Sequence, residues 1–128
     1  MVKALIYTES RFKPTILADP RRQGSARGLM QVTNESREIL GDTDGEITDH
    51  YISVTKNELN DPNTNICAGI RWLFHKRALL STKLRQQPSW EKTVYNFKGN
   101  KKATKARAAK IMNMFEHAYE ALKECKKN

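Results

Sequence analysis

The sequence predicts a mainly α-helical domain. Apolar residues recur at three- and four-residue intervals at the start of the chain, over 65–80 and over 103–123, which is typical of helices that bury one face. No alternating apolar and polar run of the kind that predicts a strand extends beyond a few residues. The 128 residues suit one domain spanning 1–128, long enough to bury a core.

The opening helix places five residues on one inward side, and Pro14 ends the run. These residues are Val2, Leu5, Ile6, Glu9 and Phe12. Residues 13–27 then predict a loop, because proline and glycine punctuate them.

The middle of the chain predicts two short elements. A helix is expected over 33–40, with Gly41 just past its end as a C-cap. Thr55 and Glu58 have the spacing of a capping box, in which each side chain accepts a hydrogen bond from the other residue's backbone N–H. We expect residues 61–63 to stop that element.

Three helices are predicted after residue 64, over 65–80, 90–95 and 103–123. Gly69 lies inside the first of them and costs about 1 kcal/mol relative to alanine, so another backbone is expected to pass close by. The last helix carries one apolar stripe. Its members are Ala108, Ile111, Met112, Phe115, Ala118, Tyr119 and Leu122.

The formal net charge of +9 favours anionic partners such as nucleic acid, acidic lipid or bacterial wall polymers. Much of the excess lies late, where a solvated helix face and tail is the plain interpretation. Nucleic-acid binding is disfavoured, because residues 98–110 contain no aromatic side chain that could stack on a base. No apolar run approaches the roughly 20 residues that span a bilayer.

The two cysteines and three histidines show no metal-ligand spacing. Neither a metal nor a cofactor is therefore expected. Cys67 and Cys125 are expected to be free, buried thiols, and a single bridge between them is the alternative.

Glu9 is the residue that the apolar pattern does not explain. It lies on the face that should pack inward. A carboxyl group among apolar side chains loses the solvation of its charged form, which raises its pKa. A glutamate that is protonated near neutral pH can donate a proton to a leaving oxygen, as glycoside cleavage requires. A buried glutamate satisfied by backbone N–H groups is the structural alternative.

Four short motifs follow one another over residues 3–99. They are Glu-Ser-Arg-Phe at 9–12, Gly-Leu-Met-Gln-Val at 28–32, the Asn-Ile and Ala-Gly-Ile helix at 65–73, and Tyr-Asn-Phe-Lys-Gly at 95–99. In composition and order they resemble the catalytic domain of soluble lytic transglycosylases.

That resemblance implies a lysozyme-like, mostly helical fold with a groove for the glycan strands of peptidoglycan. It implies cleavage of the β-1,4 bond between N-acetylmuramic acid and N-acetylglucosamine, with a 1,6-anhydro product. Glu9 would be the one catalytic acid/base, so no second carboxylate is required. The acidic residues Asp19, Asp42, Asp44 and Asp49 all fall in predicted loops.

The same matching assigns substrate contacts to five further residues. Tyr95 would hydrogen-bond and orient Glu9, and Asn96 would line the sugar site. Met30 and Gln31 would form the groove wall, although Met30 at this spacing is equally compatible with plain core. Ser25 is the nearest match to the family's groove serine, at a wrong offset.

The chain departs from the family pattern in three places. Phe97 and Lys98 replace the usual small residues, which narrows the site or places a cation near acidic groups of the glycan. The stretch between Glu9 and Gln31 is a few residues long for the family. The chain also begins almost on the catalytic helix, which suggests a domain cut from a larger protein or a compact phage version. The expected state is a monomer or a part of a larger protein.

The expected place of action is extracytoplasmic, in periplasm, cell wall or a phage virion. The opening residues do not resemble a secretory signal, because Glu9 and Arg11 interrupt the apolar run. Export would then depend on a removed signal, a longer parent chain or phage delivery.

Two other functions stay open on the sequence. A goose-type hydrolytic lysozyme would share the fold and the glutamate but release a reducing end. A non-catalytic wall-binding or structural module would tolerate Glu9→Gln.

Overall fold

Five helices make up the fold in the computed structural model, which describes residues 1–22, 25–99 and 104–125. They are α1 (Val2–Ser10), α2 (Asn34–Gly41), α3 (Pro62–Leu84), α4 (Trp90–Phe97) and α5 (Lys105–Cys125), with a 3-10 turn at Glu58–Asn60. Within the described ranges only isolated bridges occur, joining Arg27 to Leu17 and to Val32. The prediction of a mainly helical fold is confirmed.

The first helix is shorter than its apolar pattern predicts. It ends at Ser10, after which Arg11 and Phe12 both adopt left-handed backbone conformations, with φ of 53° and 61°. This turn moves Phe12 off the inward face, and 50% of its surface is exposed. The expectation that Phe12 packs inward with Leu5 and Ile6 is therefore wrong.

The capping box that the sequence predicts is present in the middle of the chain, and a second side-chain cap begins α2. The Thr55 hydroxyl accepts from the Glu58 N–H at 3.2 Å, and the Glu58 carboxylate accepts from the Thr55 N–H at 3.1 Å. Thr33 caps α2 by accepting from the Ser36 N–H at 3.1 Å. Gly41 is the last residue of α2, and the C-cap expected there falls on the next residue.

Asp61 both ends the 3-10 turn and begins α3. The expected stop is confirmed, since Asp61 is the C-cap of Glu58–Asn60. Its carboxylate also caps α3 by accepting from the Thr64 N–H at 2.9 Å, so this helix starts at Pro62 and not at residue 65 as expected. Pro62 occupies the first turn, where a missing N–H costs no hydrogen bond. Asp61 and Pro62 thus mark the end of the 3-10 turn and the start of the next helix. Helix α3 then continues to Leu84.

Helix α3 is the centre of the packing, since α2, α4 and the 3-10 turn all contact it, while α5 packs on α1. The predicted stripe of α5 is buried at Ala108, Met112, Phe115 and Ala118. The long central helix and the α1–α5 pair together enclose one hydrophobic core.

A junction inside that core joins the turn after Gly28 to α3. The buried side chain of Asn65 accepts from the Met30 N–H at 2.8 Å and donates to the carbonyls of Arg27 and Leu59 at 3.0 and 2.9 Å. A Cβ on Gly69 would lie 2.6 Å from the Met30 Cβ. The close neighbour of Gly69 is therefore a side chain, not the backbone that was expected.

Cys67 is free and exposed, so the expectation of burial is wrong for this thiol. The side chain of Cys125 lies outside the described residues. Along the described part of the chain, no helix has both the length and the apolar character that crossing a membrane requires.

Candidate active site

Glu9 lies on the last turn of α1, where its carboxylate meets a lysine that lies 89 residues later, at the end of α4. The ammonium of Lys98 donates to Glu9 Oε1 at 2.9 Å and to the Thr8 hydroxyl oxygen at 2.8 Å. The side chain of Glu9 is 19% exposed and that of Lys98 is 5% exposed. The carboxylate is thus fixed by a nearly buried cation but stays open to solvent.

Both contacts depend on local backbone structure. Thr8 donates its hydroxyl hydrogen to the carbonyls of Ala4 and Leu5, at 3.0 and 3.1 Å, which turns its lone pairs toward the ammonium. Lys98 is the C-cap of α4, and its N–H donates to the Val94 carbonyl at 3.0 Å. The ends of α1 and α4 therefore position the ion pair.

This environment differs from the apolar one predicted for Glu9. Lys98 is one of the late basic residues for which a solvated surface is the plain interpretation of the sequence, whereas its side chain is almost entirely enclosed. The departure from the family pattern at residues 97–98 was the signal in the sequence, but nothing there identified Glu9 as the partner. No signal in the sequence identified Thr8 as part of the site.

Tyr95 and Asn96 lie near Lys98 in the chain but open into a different space. Both line a cleft of about 570 Å³ between α4 and the second half of α3. Tyr95 is 38% exposed, and no hydrogen bond joins it to Glu9, although both residues are described. The predicted hydrogen bond to Glu9 is made by Lys98 instead.

The two residues predicted for the groove wall differ in exposure. Met30 is completely buried against Gly69, so it belongs to the core. Gln31 is partly exposed, with φ of 51°, and its side-chain amide donates to the carbonyls of Ile16 and Gly28 at 3.2 and 3.0 Å. The Gln31 amide therefore connects Ile16 and Gly28 and stabilises the loop between them.

Ser25 closes the loop before the second motif. Its hydroxyl donates to the Asp19 carbonyl at 3.0 Å and accepts from the Asp19 N–H at 3.3 Å. Both hydrogen bonds of the Ser25 hydroxyl are therefore made to Asp19, within the same loop. The structure therefore brings Glu9 together with Lys98 and Thr8, while Ser25, Gln31 and Met30 shape the neighbouring loop and core.

The loop aspartates are engaged near their own positions. Asp19 Oδ1 accepts from the Arg21 N–H at 3.0 Å, and Asp42 Oδ1 accepts from the Asp44 N–H at 3.0 Å. Asp49 pairs with Arg71 at 3.5 Å. No group of three metal-binding side chains occurs among the residues that the structure describes.

The comparisons with known proteins agree with this arrangement of motifs. Residues 1–113 match the family described as the Transglycosylase SLT domain, a lysozyme-like helical domain typical of lytic transglycosylases that act on peptidoglycan. No curated protein and no solved structure matches the chain at a significant level. The match covers all four motifs and most of the chain, and the chain belongs to the transglycosylase SLT domain family.

Proposed function

We propose that this chain cleaves the β-1,4 bond between N-acetylmuramic acid and N-acetylglucosamine in peptidoglycan, with Glu9 as its single acid/base. The observation that supports this most directly is the position of Glu9. Its carboxylate is fixed on one oxygen by Lys98, whose ammonium also donates to the Thr8 hydroxyl, and stays partly exposed, in a chain of the SLT family.

The first step requires Glu9 in its acid form. Glu9 donates its proton to the glycosidic oxygen as the bond from that oxygen to muramyl C1 breaks, because an unprotonated sugar alkoxide leaves poorly. The bonding electrons remain on the oxygen, and the N-acetylglucosamine leaves as an alcohol. The acetamido group of the muramyl sugar supports the positive charge that forms at C1.

The second step uses the carboxylate that the first step leaves. It takes the proton of the muramyl 6-hydroxyl while that oxygen forms its bond to C1, so the ring closes without consuming water. The contact between Lys98 and Glu9 Oε1 fits this carboxylate state, since a hydrogen-bonded ammonium stabilises the negative charge. Oε2 accepts no hydrogen bond from any described residue and would face the substrate.

A mechanism with one carboxylate agrees with the local engagement of the loop aspartates. A hydrolase of the inverting type needs a second carboxylate to activate water across the sugar ring. Asp19, Asp42 and Asp49 instead hold hydrogen bonds or ion pairs within their own surroundings. This supports ring closure by the substrate's own hydroxyl.

The proposed place of action is wherever peptidoglycan is found, in the periplasm, the cell wall or a phage virion that meets it.

The test is a digest of purified peptidoglycan with the wild-type protein and with Glu9→Gln, analysed by mass spectrometry of the muropeptides. We expect products lighter by one water than those of a hydrolytic lysozyme. In Glu9→Gln we expect the rate to fall by about a hundredfold or more, the usual contribution of a general acid.

The matched control is Glu116→Gln, which makes the same substitution at an exposed residue of α5. It should digest peptidoglycan at the wild-type rate. Products of hydrolytic mass would move the protein to the lysozymes, and undiminished digestion by Glu9→Gln would remove Glu9 from the chemistry.

A further inference from the structure

The cleft that holds Tyr95 and Asn96 has the character of a binding site for a ligand with apolar and anionic parts. Its volume is about 570 Å³, within the range of ligand pockets. Its apolar lining comes from the second half of α3, from Leu79, Leu80 and Leu84. Leu79, Leu84 and Tyr95 are each more than one-third exposed, so this apolar surface is open to a partner.

Three lysines line the same cleft, two from α3 and one from α4. They are Lys76, Lys83 and Lys92. No aspartate or glutamate is among its lining residues. Within the described part of the chain neither Lys83 nor Lys92 forms an ion pair, and Lys76 lies 4.9 Å from the centre of the Trp72 ring. Cations that converge on a cleft with a low-dielectric wall concentrate anionic ligands there.

The cleft is connected to the candidate active site through α4. Tyr95 and Asn96 open into the cleft, and Lys98, two residues after Asn96, contacts Glu9. A strand held at Glu9 would therefore present a neighbouring part of itself to the three lysines. The N-acetylated sugar rings carry no charge, whereas the stem peptides attached to the muramyl lactyl groups carry free carboxylates and apolar side chains.

We propose that this cleft binds the acidic stem peptide of the strand whose glycan lies at Glu9. The proposal rests on the proposed function for its substrate. Binding of the stem peptide in this cleft makes the protein selective for peptide-bearing strands over naked glycan. The three ammonium groups pair with the stem-peptide carboxylates, while the leucines and Tyr95 contact alanine methyl groups.

The experiment compares cleavage of glycan strands with tetrapeptide stems and of the same strands after an amidase has removed the stems. The variant changes Lys76, Lys83 and Lys92 to glutamate together. We expect its KM for peptide-bearing strands to rise about tenfold, as the loss of several solvent-exposed ion pairs would produce. Its cleavage of naked strands should stay at the wild-type level.

The matched control changes Lys3, Lys105 and Lys110 to glutamate, which alters the net charge equally at exposed residues outside the cleft. It should leave both substrates unaffected. Equal losses on both substrates, or no loss on either, would overturn the proposal. If the glutamate variant does not fold, the three glutamine substitutions remove the same charges with less repulsion.

A binding measurement separates this proposal from the proposed function. The wild-type protein is titrated by NMR with the free stem tetrapeptide and with its carboxyl-amidated form. Shifts at Lys83, Lys92 and Tyr95 with the free peptide alone would support the cleft even if neither strand is cleaved. Absence of these shifts would overturn it even in an active enzyme.

Discussion

The four sequence motifs of this chain meet in two pairs. The motifs at 28–32 and 65–73 meet in the core, whereas those at 9–12 and 95–99 meet at the surface. The turn after Gly28 and the Asn65 helix join in the core, where Asn65 and Met30 are completely buried. Glu9 and Lys98 join at the surface, where Glu9 keeps 19% of its side chain exposed. In the core junction each polar group of Asn65 has a backbone partner, whereas one oxygen of Glu9 has none among the described residues.

This difference separates the part of the molecule that holds the fold from the part proposed to react. Substitutions in the core junction should lower stability and leave the chemistry of folded molecules intact. Substitutions at the ion pair should change the chemistry, with a smaller cost in stability.

Asn65→Ala has the largest expected effect on stability. It leaves the buried Met30 N–H and the Leu59 carbonyl without their side-chain partner, while the Arg27 carbonyl keeps its hydrogen bond from the Val32 N–H. We expect a loss of about 3 kcal/mol in the free energy of unfolding, measured by urea denaturation. Asn113→Ala, at an exposed position of α5, is the control. A loss as small as that of the control would mean that the junction does not hold the fold.

Lys98→Met tests the ion pair at the surface. Removal of the ammonium leaves the Glu9 carboxylate without its cation, at an expected cost of about 2 kcal/mol, below that of a fully buried pair because Glu9 is partly exposed. The cost should be smaller when Glu9→Gln is already present, which a double-mutant cycle measures. Strict additivity of the two substitutions would show that Lys98 and Glu9 do not interact in solution.

Gly69→Ala tests the core junction again and has a smaller expected cost in the free energy of unfolding. The added methyl group would lie 2.5 Å from Met30 Sδ and 2.6 Å from Met30 Cβ. We expect a net loss of about 1 kcal/mol, since this overlap exceeds the helix-forming advantage of alanine. Gly41→Ala in α2 meets no atom closer than 3.4 Å and should be neutral or stabilising. The comparison of thermal melting temperatures checks both.

Asp61→Ala, at the start of α3, should have the smallest effect on stability. This effect is expected to depend on pH. Hydrogen bonds from the Thr64 N–H and hydroxyl hold the pKa of Asp61 below its ordinary value. Its stabilising contribution is therefore present above the unfolded-state pKa and is lost as the pH falls through the lower, folded-state pKa. We expect Asp61→Ala to lower the melting temperature at neutral pH and the difference to vanish in strong acid. A difference that persists in strong acid would contradict the charged cap.

The sequence predicts correctly those parts of the fold that depend on residues close together in the chain. The capping box of Thr55 and Glu58 and the buried stripe of α5 follow from spacing alone. The predicted start of α3, at residue 65, is three residues late, because Asp61 and Pro62 end the 3-10 turn as expected and also begin the next helix.

The candidate site was less accessible to sequence analysis, because its geometry depends on residues far apart. The pattern identified Glu9 as unusual and residues 97–98 as a departure, but the pairing of Lys98 with Glu9 requires α1 and α4 to be placed in space. The expected contact from Tyr95 failed for the same reason. The roles of Gln31, Asn96 and Ser25 toward substrate stay predictions.

The separation of Glu9 and Lys98 by 89 positions also bears on the order in which the protein is made. A ribosome releases the glutamate 89 residues before its lysine. Until then the growing polypeptide carries the acid without the group that fixes it. Assembly of the pair thus waits until synthesis has passed α4, and a product truncated within α4 would keep the acid and lack its partner.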